Sequence, residues 1–362
     1  MDEKINSNYL LRIRPDSVYA LEDEEIKSVL KRYIDVVNNR APAKFFLLKS
    51  IEVEIPKNFS LEELLELHDE LMKEIKEIKS QKKLKFYKIN LLTLKRIIAN
   101  EVVKGCQLCE WKCKVDRTKG QKGFCQAGEE IRISSEFIHM GEESFITPSH
   151  TIFFWSCNMQ CIFCQNYTIS YRLEEGEEID PRLLAKIIEI RRREGCRNVN
   201  LVGGEPTIYL HKILEVFEHV SENVPIVWNS NMYMSEISMK VLDGFVDVYL
   251  TDFKFGPGEC SKELTKVRRY WEVVTRNHLV ASEQAEVVIR HLILPNHVEC
   301  CSFPILEWIS ENLGRNCIVN VMDQYYPCFK ALENEKINRR ITREEYRRVL
   351  EKAKQLGLIV KG

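Results

Sequence analysis

Three cysteines lie close together near the middle of the chain. Cys157, Cys161 and Cys164 are separated by three and two residues in the segment CNMQCIFC. An apolar run at residues 151–155 precedes them and predicts a buried strand, so we expect the thiols on the loop at its carboxyl end. Thiolates are the usual ligands of iron–sulfur clusters, and a cubane cluster normally takes four. Three thiolates would therefore leave one iron free to bind a substrate or a cofactor.

The same spacing also fits one face of a helix, because residues i, i+4 and i+7 lie on the same side. Three buried cysteines would then simply pack in the core. Asn158, Gln160, Gln165 and Asn166 crowd this segment with polar amides. A plain core helix fits that composition poorly, so the loop interpretation is favoured.

A second group of cysteines lies upstream. Cys106, Cys109, Cys113 and Cys125 are separated by two, three and eleven residues. Compact sets of four thiolates bind zinc or iron–sulfur clusters. The spacing leaves three alternatives open: zinc or a purely structural cluster, a redox-active accessory [4Fe–4S] cluster, or thiols that bind nothing.

The composition excludes some classes of partner. The chain has 362 residues, of which 44% are hydrophobic and 30% charged, and its net charge is −1. That balance gives no general attraction to nucleic acids or to anionic membranes. No apolar run approaches the roughly 20 residues that span a bilayer, and the N-terminal residues lack a signal-peptide pattern. We therefore expect a cytoplasmic protein with neither a membrane nor a nucleic-acid partner.

The cysteine content indicates the redox environment of the protein. Disulfides are rare in the cytosol, and clustered thiols favour metal binding over disulfides. A total of 13 cysteines favours a reducing, anaerobic environment. We expect a structural role for the six scattered cysteines. For the adjacent pair, Cys300 and Cys301, a redox or ligand role is the alternative. The six scattered cysteines are Cys196, Cys260, Cys300, Cys301, Cys317 and Cys328.

Residues 1–104 are predicted to be mainly helical. Apolar residues recur at helical spacing over 21–37 and over 61–79, where the capping-box pattern S-x-x-E opens the second segment. The apolar segment 45–55 is predicted to form one or two strands. No chemistry is recognisable in this region, and packing onto a core is favoured over docking of a partner.

Beyond a four-cysteine metal-binding segment at 105–148, short apolar runs alternate with longer helical patterns. Such alternation predicts an α/β fold of parallel βα units, as a partial (β/α)6 barrel or a doubly wound open sheet. We expect these units to occupy 149–330, with a C-terminal helix in 331–362 packed on them. The expected strands are 151–155, 199–202, 226–228, 246–250, 286–294 and 317–322, and the expected helices lie near 181–194, 210–220, 235–242, within 262–283, 305–312 and 342–356.

Polar residues follow the ends of these strands, where ligands bind in parallel α/β folds. In Gly203-Gly204-Glu205 the glycines let the backbone approach a ligand closely, and the carboxylate can pair with an ammonium group. A turn with a solvated glutamate would look the same. Asp252 and Lys254 share one face of a strand, either as a charged pair beside a pocket or as a structural ion pair.

Two other strands carry polar residues near their ends. Asn229, Ser230 and Asn231 could contact a ligand or cap the next helix. Arg290 stands within an otherwise apolar strand and needs a partner carboxylate. The neighbouring His291 could assist ligand binding, although a lone histidine of this kind is more often structural.

The motif C-x3-C-x2-C, with the aromatic Phe163 before its last cysteine, resembles the signature of the radical S-adenosylmethionine (SAM) superfamily. The resemblance implies a partial (β/α)6 barrel in which Cys157, Cys161 and Cys164 hold a [4Fe–4S] cluster and SAM chelates the fourth iron. It also implies reductive cleavage of SAM to a 5′-deoxyadenosyl radical that abstracts a substrate hydrogen. The cofactors carry that chemistry, and the protein places them and excludes water.

Later motifs resemble the same family in the same order. Gly203-Gly204-Glu205 is similar to its GGE motif, which contacts the amino group of SAM, and the chain looks like the pyruvate formate-lyase activating enzyme-related, glycyl-radical activase-like oxidoreductases. Residues 1–100 lie outside the resemblance. The further segments similar to motifs of activating enzymes are Asn229-Ser230-Asn231, Asp252 with Lys254, and the strand that carries Arg290 and His291.

The resemblance implies a radical SAM enzyme that abstracts hydrogen, with a backbone glycine of a protein partner as one substrate. One alternative is a radical SAM enzyme that modifies a small molecule or another macromolecule, with the upstream cysteines holding an auxiliary cluster. A non-enzymatic iron–sulfur or zinc protein is the alternative from another class. The expected partners are an electron donor such as ferredoxin or flavodoxin and, for the first function, a protein substrate.

Overall fold

The computed structural model describes residues 5–75, 84–174 and 176–362. Its strands are β1 (Arg132–His139), β2 (Ser149–Phe154), β3 (Glu177–Glu178), β4 (Asn198–Gly203), β5 (Ile226–Ser230), β6 (Val248–Asp252), β7 (Glu286–Leu292), β8 (Cys317–Met322) and β9 (Ile359–Val360). They form one sheet in the order β3-β1-β2-β4-β5-β6-β7-β8-β9. The pairs from β2 to β9 are parallel, whereas β1 is antiparallel to both of its neighbours.

Helices separate the parallel strands from β2 to β8, which confirms the predicted α/β fold and its partial (β/α)6 barrel. The α-helices are α1 (Ser7–Ile13), α2 (Pro15–Ala20), α3 (Glu24–Val29), α4 (Lys31–Val37), α5 (Lys44–Lys49), α6 (Leu61–Leu71), α7 (Leu91–Val103), α8 (Tyr167–Ser170), α9 (Pro181–Glu194), α10 (Leu210–His219), α11 (Glu236–Leu242), α12 (Cys260–Thr265), α13 (Tyr270–Gln284), α14 (Phe303–Asn312) and α15 (Arg343–Gln355).

Local signals set the ends of the barrel helices. The Asp180 side chain accepts hydrogen bonds from the amides of Arg182 and Leu183, Pro181 occupies the first turn, and α9 ends at Gly195, whose φ is +113°. Proline at the start and a left-handed glycine at the end are the usual helix boundaries. The predicted helix at 181–194 therefore has the bounds of α9.

Two predictions for the N-terminal region are wrong. The segment 45–55 is not a strand: α5 covers its first part, because a short run such as FFLL does not distinguish a helix from a strand. The continuous helix at 21–37 is divided into α3 and α4 at Leu30, and α3 begins only after Asp23, whose side chain caps it.

The predicted helix at 61–79 begins with the expected capping box. Ser60 accepts a hydrogen bond from the amide of Glu63, and the Glu63 carboxylate accepts one from the amide of Ser60. The helix α6 ends at Leu71, and the predicted end near residue 79 lies outside the described residues.

The N-terminal helices pack directly on the barrel. Phe45 of α5 contacts Phe217 of α10 edge to face, with ring centroids 5.1 Å apart. The Glu286 carboxylate at the start of β7 accepts hydrogen bonds from the backbone amides of Arg32 and Tyr33. Aromatic burial and these hydrogen bonds stabilise the contact between the two regions.

Three strands extend the sheet beyond the predicted ones. The strand β1 pairs with β2, the two-residue β3 pairs with β1, and β9 pairs with β8 after the C-terminal helix. The short strands β3 and β9 carry too few residues for a period-2 pattern. Among the described residues, no helix combines the length and the apolar character needed to cross a bilayer.

Candidate functional site

A cavity of about 780 Å³ opens inside the barrel and extends to the carboxyl ends of the parallel strands. It is lined by most of the residues that the sequence singles out. Ser230 and His291 do not line it. The predicted residues along its wall are Cys157, Cys161, Phe163, Cys164, Gly203, Gly204, Glu205, Asn229, Asn231, Asp252, Lys254 and Arg290.

The three thiols share the loop after β2, residues 156–166, which we call the cluster loop. The Met159 amide donates a hydrogen bond to Cys157 Sγ at 3.3 Å, and Ser170 Oγ lies 3.1 Å from Cys164 Sγ. Burial raises the pKa of all three thiols, that of Cys161 to about 12. A bound metal centre would offset this cost, because its positive charge stabilises the thiolate form. The three thiols on one wall of a cavity fit a [4Fe–4S] cluster with one open iron.

The cluster loop is held by its own backbone and by Phe163. The amides of Gln160 and Ile162 donate to the carbonyls of Thr265 and Leu264 at the end of α12. The Phe163 ring is buried against Phe255, with centroids 6.0 Å apart. These contacts fix the loop beneath the cavity.

The end of β4 approaches the cluster loop too closely for any side chain. A Cβ on Gly204 would lie 1.7 Å from the carbonyl oxygen of Ser156, and one on Gly203 would lie 2.1 Å from the amide nitrogen of Phe154. Gly203 also has a φ of +115°. Glycine is therefore required at both positions.

Glu205 is buried rather than solvated, with only 1% of its surface exposed. Its Oε1 accepts hydrogen bonds from the Thr207 amide at 3.2 Å and from Ser230 Oγ at 2.8 Å, and its Oε2 accepts one from the Asn231 amide at 3.0 Å. Burial raises the pKa of this carboxyl despite these donors. Ser230 thus acts by holding Glu205 and does not reach the cavity itself.

Asn231 links the end of β5 to the cluster loop. Its Nδ2 donates to Asn158 Oδ1 at 2.7 Å and lies 3.6 Å from Cys157 Sγ. The Tyr233 amide donates to Asn231 Oδ1 at 2.9 Å, which orients the amide group. The Asn231 side chain therefore helps to place the first cysteine.

Asp252 lies between two cations. Lys254 Nζ donates a hydrogen bond to its carboxylate, and Arg290 Nε donates one to Oδ1 at 3.2 Å. Arg290 also donates a hydrogen bond to Asn229 Oδ1. Burial acts to raise the pKa of Asp252, but the charges of Lys254 and Arg290 outweigh it, so the pKa is lowered. The carboxylate is therefore ionised, and the wall of the cavity carries a fixed array of charges.

The predicted cofactor contact at His291 is wrong. Successive side chains of a strand alternate between faces, so His291 points away from the cavity that Arg290 lines. Its ring nitrogens lie 2.8 Å from the Phe253 carbonyl oxygen and 2.8 Å from Ser302 Oγ. Burial lowers its pKa to about 4, so it is a neutral structural histidine.

Further polar residues that were not predicted from the sequence lie in or beside the cavity: Glu142, Glu143 and Asn320 line it, and Asn200 contacts Glu142. Asn200 Nδ2 donates to Glu142 Oε1 at 3.0 Å, and Asn320 Nδ2 donates to Glu143 Oε1 at 3.0 Å. Burial raises the pKa of Glu143. Asn200 and Asn320 are amides within apolar strands, the same signal that identified Arg290, whereas Glu142 and Glu143 stand in a loop without a recognisable pattern.

Three buried polar atoms near the cavity have no hydrogen-bond partner among the described residues. They are Glu143 Oε2, Asn200 Oδ1 and Asn229 Nδ2. A buried polar group without a partner is costly, so such groups mark places where a ligand binds. Glu143 and Asn229 line the cavity, so their unpartnered atoms are available to a ligand there, whereas Asn200 does not line it.

The four upstream cysteines lie near one another, and backbone amides point at their sulfurs. The Phe124 amide donates to Cys113 Sγ at 3.4 Å, and a Cβ on Gly123 would lie 2.7 Å from the same sulfur. Cys109 and Cys125 also accept from backbone amides, although burial raises the pKa of both thiols. Amide-to-sulfur hydrogen bonds are characteristic of thiolates that bind metals.

This segment is seated on the cluster loop. Trp111 Nε1 donates to the carbonyl oxygen of Asn158 at 2.8 Å, and its ring stacks on Phe124 with centroids 4.0 Å apart. The Ser156 hydroxyl donates to the carbonyl of Cys125. Both cysteine groups are thus joined through short side-chain contacts.

Comparison with known proteins assigns the family. Residues 151–309 match the family model described as the radical SAM superfamily. An uncharacterized protein of Methanocaldococcus jannaschii, MJ0674, is 45% identical over 336 residues, which cover 91% of this chain and 98% of that protein. The chain belongs to the radical SAM superfamily. Its radical SAM domain implies a [4Fe–4S] cluster and SAM.

The solved structures that are similar to this chain are remote from it in sequence. The crystal structure of methylornithine synthase (PylB) aligns over 91% of this chain and 77% of that chain, at 14% identity and a TM-score of 0.44. The structure of Streptococcus suis SuiB aligns over 59% of this chain and 47% of that chain, at 16% identity and a TM-score of 0.41. That alignment thus covers less than half the length of SuiB.

Replacing Gly204 tests the close approach that places the cluster loop. We expect Gly204→Ala to destabilise the protein by about 2 kcal/mol, because the new methyl group must displace backbone rather than a side chain. Displacement of Ser156 should also reduce the iron bound per chain after reconstitution. Gly128→Ala is the control, because a Cβ there meets no atom within 4 Å. Equal iron content in both variants would contradict the assigned constraint.

Proposed function

We propose that Cys157, Cys161 and Cys164 hold a [4Fe–4S] cluster and that SAM binds at the iron without a cysteine ligand. The observation that carries the proposal is that three half-buried thiols and an array of largely buried charges line one cavity. When bound and reduced, the cluster supplies the electron that cleaves SAM to methionine and a 5′-deoxyadenosyl radical. A substrate that loses a hydrogen atom to this radical would bind in the same cavity.

We propose Glu205 as the residue that binds the ammonium group of SAM. Its described hydrogen-bond donors are all neutral, namely the Thr207, Ser230 and Asn231 groups. A buried carboxylate without a cationic partner gains most from a positive ligand. Lys254 and Arg290 are cations, so they would bind the SAM carboxylate or a carboxylate of the substrate.

The inner cavity supports a small polar substrate. Glu143 Oε2 and Asn229 Nδ2 have no hydrogen-bond partner among the described residues, and both residues line the cavity together with Arg290 and Asn320. The total volume of about 780 Å³ lies in the range of small-molecule sites. The hydrogen to be abstracted would belong to a molecule that hydrogen-bonds to Glu143 and Asn229.

A glycyl-radical activase-like reaction on a protein glycine is the second candidate. An aromatic group beside the cluster loop favours it: Tyr167 stacks on Phe329 with centroids 4.7 Å apart, and Lys330 Nζ lies 4.3 Å from the Tyr171 ring centroid. Tyr326 adds a ring with 40% of its surface exposed. Aromatic surfaces of this kind bind peptide segments. In either reaction, a ferredoxin or flavodoxin would supply the electron.

We also propose that Cys106, Cys109, Cys113 and Cys125 form a four-thiolate metal centre. The amide-to-sulfur hydrogen bonds and the contact of Trp111 with the cluster loop support it. An iron–sulfur cluster at this position would lie on a path for electrons to the cluster loop. A zinc ion would instead brace that loop.

Cysteine replacement tests the assignment of the SAM-binding cluster. We expect Cys157→Ala, Cys161→Ala and Cys164→Ala each to reduce 5′-deoxyadenosine formation to background, because each removes one of three cluster ligands. The product is measured by chromatography after anaerobic reduction with dithionite and SAM. Cys196→Ala is the matched control, a buried thiol at the end of α9. Turnover retained in any of the three variants would refute the assignment, and no cleavage by the unaltered protein would favour a non-enzymatic metal protein.

Deuterium transfer tests the substrate class. Cells that carry the gene are grown in D2O, and their small-molecule and protein fractions are incubated separately with the reduced enzyme and SAM. We expect deuterium in 5′-deoxyadenosine with the small-molecule fraction, because the inner cavity would bind a small polar substrate. Mass spectrometry reads the label. Deuterium from the protein fraction alone would overturn this choice in favour of the activase-like reaction.

Metal analysis tests the upstream centre. We expect Cys113→Ser to lose the metal of that centre while the protein keeps the iron at the cluster loop. Iron, sulfide and zinc are measured per chain after anaerobic reconstitution. Loss of iron alone identifies a cluster, and loss of zinc alone identifies a structural ion. Metal contents unchanged from the unaltered protein would show that these thiols bind nothing.

A further inference from the structure

Three further cysteines form a compact group outside the cavity. Cys260 is the first residue of α12, whereas Cys300 and Cys301 are adjacent in a π-helical turn, Val298–Ser302, after β7. All three Sγ atoms lie within 4.8 Å of one another. The Sγ atoms of Cys260 and Cys300 are 3.8 Å apart, and those of Cys300 and Cys301 are also 3.8 Å apart. The fold thus brings together thiols that are distant in sequence.

This spacing fits a single ion rather than a cubane cluster. Zinc–sulfur bonds of about 2.3 Å in a tetrahedral site place two sulfurs about 3.8 Å apart. A [4Fe–4S] cluster binds each thiolate at a different iron, so its thiolates lie much farther apart. Three soft sulfur ligands select thiophilic ions, of which zinc suits this geometry.

The surrounding backbone is arranged around the same group. A Cβ on Gly256 would lie 2.2 Å from the carbonyl oxygen of Cys300, so the loop after β6 rests directly on the π-helical turn. The Gly256 amide also donates to the Cys301 thiol. An amide hydrogen bond to sulfur supports a metal-bound thiolate. The π-helical turn is a rare feature that often marks a functional site.

The three cysteines differ in solvent exposure, so one side of the group faces solvent. Cys301 is buried, Cys260 is half-buried and Cys300 is exposed. An ion held by the three sulfurs would therefore face solvent at its fourth position. Sites with three protein ligands and one open position bind water or a substrate group there.

We propose that Cys260, Cys300 and Cys301 bind one zinc ion, with water as the fourth ligand. Three thiol protons are released to solvent when the ion binds, so the site changes from three neutral thiols to a zinc trithiolate of charge −1. The ion joins α12 to the turn after β7. It also braces the loop after β6, residues 253–256, which carries Lys254, from outside the cavity.

The experiment uses the full-length protein with its iron–sulfur content reconstituted. The unaltered protein, Cys260→Ser and Cys300→Ser are equilibrated anaerobically with Zn²⁺ and desalted, and zinc and iron are measured per chain. We expect both variants to bind about one zinc fewer than the unaltered protein, since two thiolates hold zinc much more weakly than three. Their iron content should be unchanged. Equal zinc in the variants and the unaltered protein would overturn the proposal.

Thiol labelling locates the ion independently of any variant. Addition of Zn²⁺ should protect the peptides that contain Cys260 and Cys300 from alkylation, as read by mass spectrometry. Cys196→Ala should retain the zinc of the unaltered protein, because its thiol is remote in sequence and buried at the end of α9. Protection that needs no zinc and is reversed by a reductant would instead show a disulfide and overturn the proposal. Both readouts are independent of SAM cleavage, so they stand apart from the function proposed above.

Discussion

The close contact between the ends of β2 and β4 controls the geometry of the site. Gly204 meets the Ser156 carbonyl where no side chain fits, so the cluster loop must leave β2 in one direction. Two further contacts fix the loop at Asn158: Asn231 donates to its side chain and Trp111 donates to its carbonyl. The three cysteines can therefore shift only if contacts from β4, β5 and the upstream segment are lost together.

Buried charge is the second feature of the site. Asp252, Arg290 and Glu142 form a network in which each ion has a partner of opposite sign, since Arg290 lies 3.2 Å from Asp252 and 3.7 Å from Glu142. Buried ions that are paired keep their charge, whereas an unpaired one changes its protonation state. Glu205 and Glu143 differ from this network because burial raises the pKa of each. These two carboxyls are the groups of the cavity that would gain most from a cationic or hydrogen-donating ligand.

Sequence patterns were sufficient where the signal is local. The bounds of α9, the capping box of α6 and the alternation of the barrel strands each depend on neighbouring residues. They failed where tertiary contacts decide the structure, as in α5, whose apolar run was predicted to be a strand. His291 and Arg290 are adjacent in one strand, and only the pleat assigns one to the core and the other to the cavity. Glu142 and Glu143 enter the cavity from the β1–β2 loop, which no periodicity predicts. The Cys260, Cys300 and Cys301 group depends on the contact of α12 with the π-helical turn after β7, which are distant in sequence.

The central claim is that SAM binds directly to an iron of the cluster held by Cys157, Cys161 and Cys164. Electron–nuclear double resonance of the reduced protein with SAM labelled by ¹⁵N at its amino group tests it most directly. The Cys113→Ser variant is the sample of choice, because it removes any signal from the upstream centre. The account predicts a ¹⁵N coupling to the cluster that is absent with unlabelled SAM. A reduced cluster whose spectrum shows no such coupling and does not change when SAM is added would contradict it.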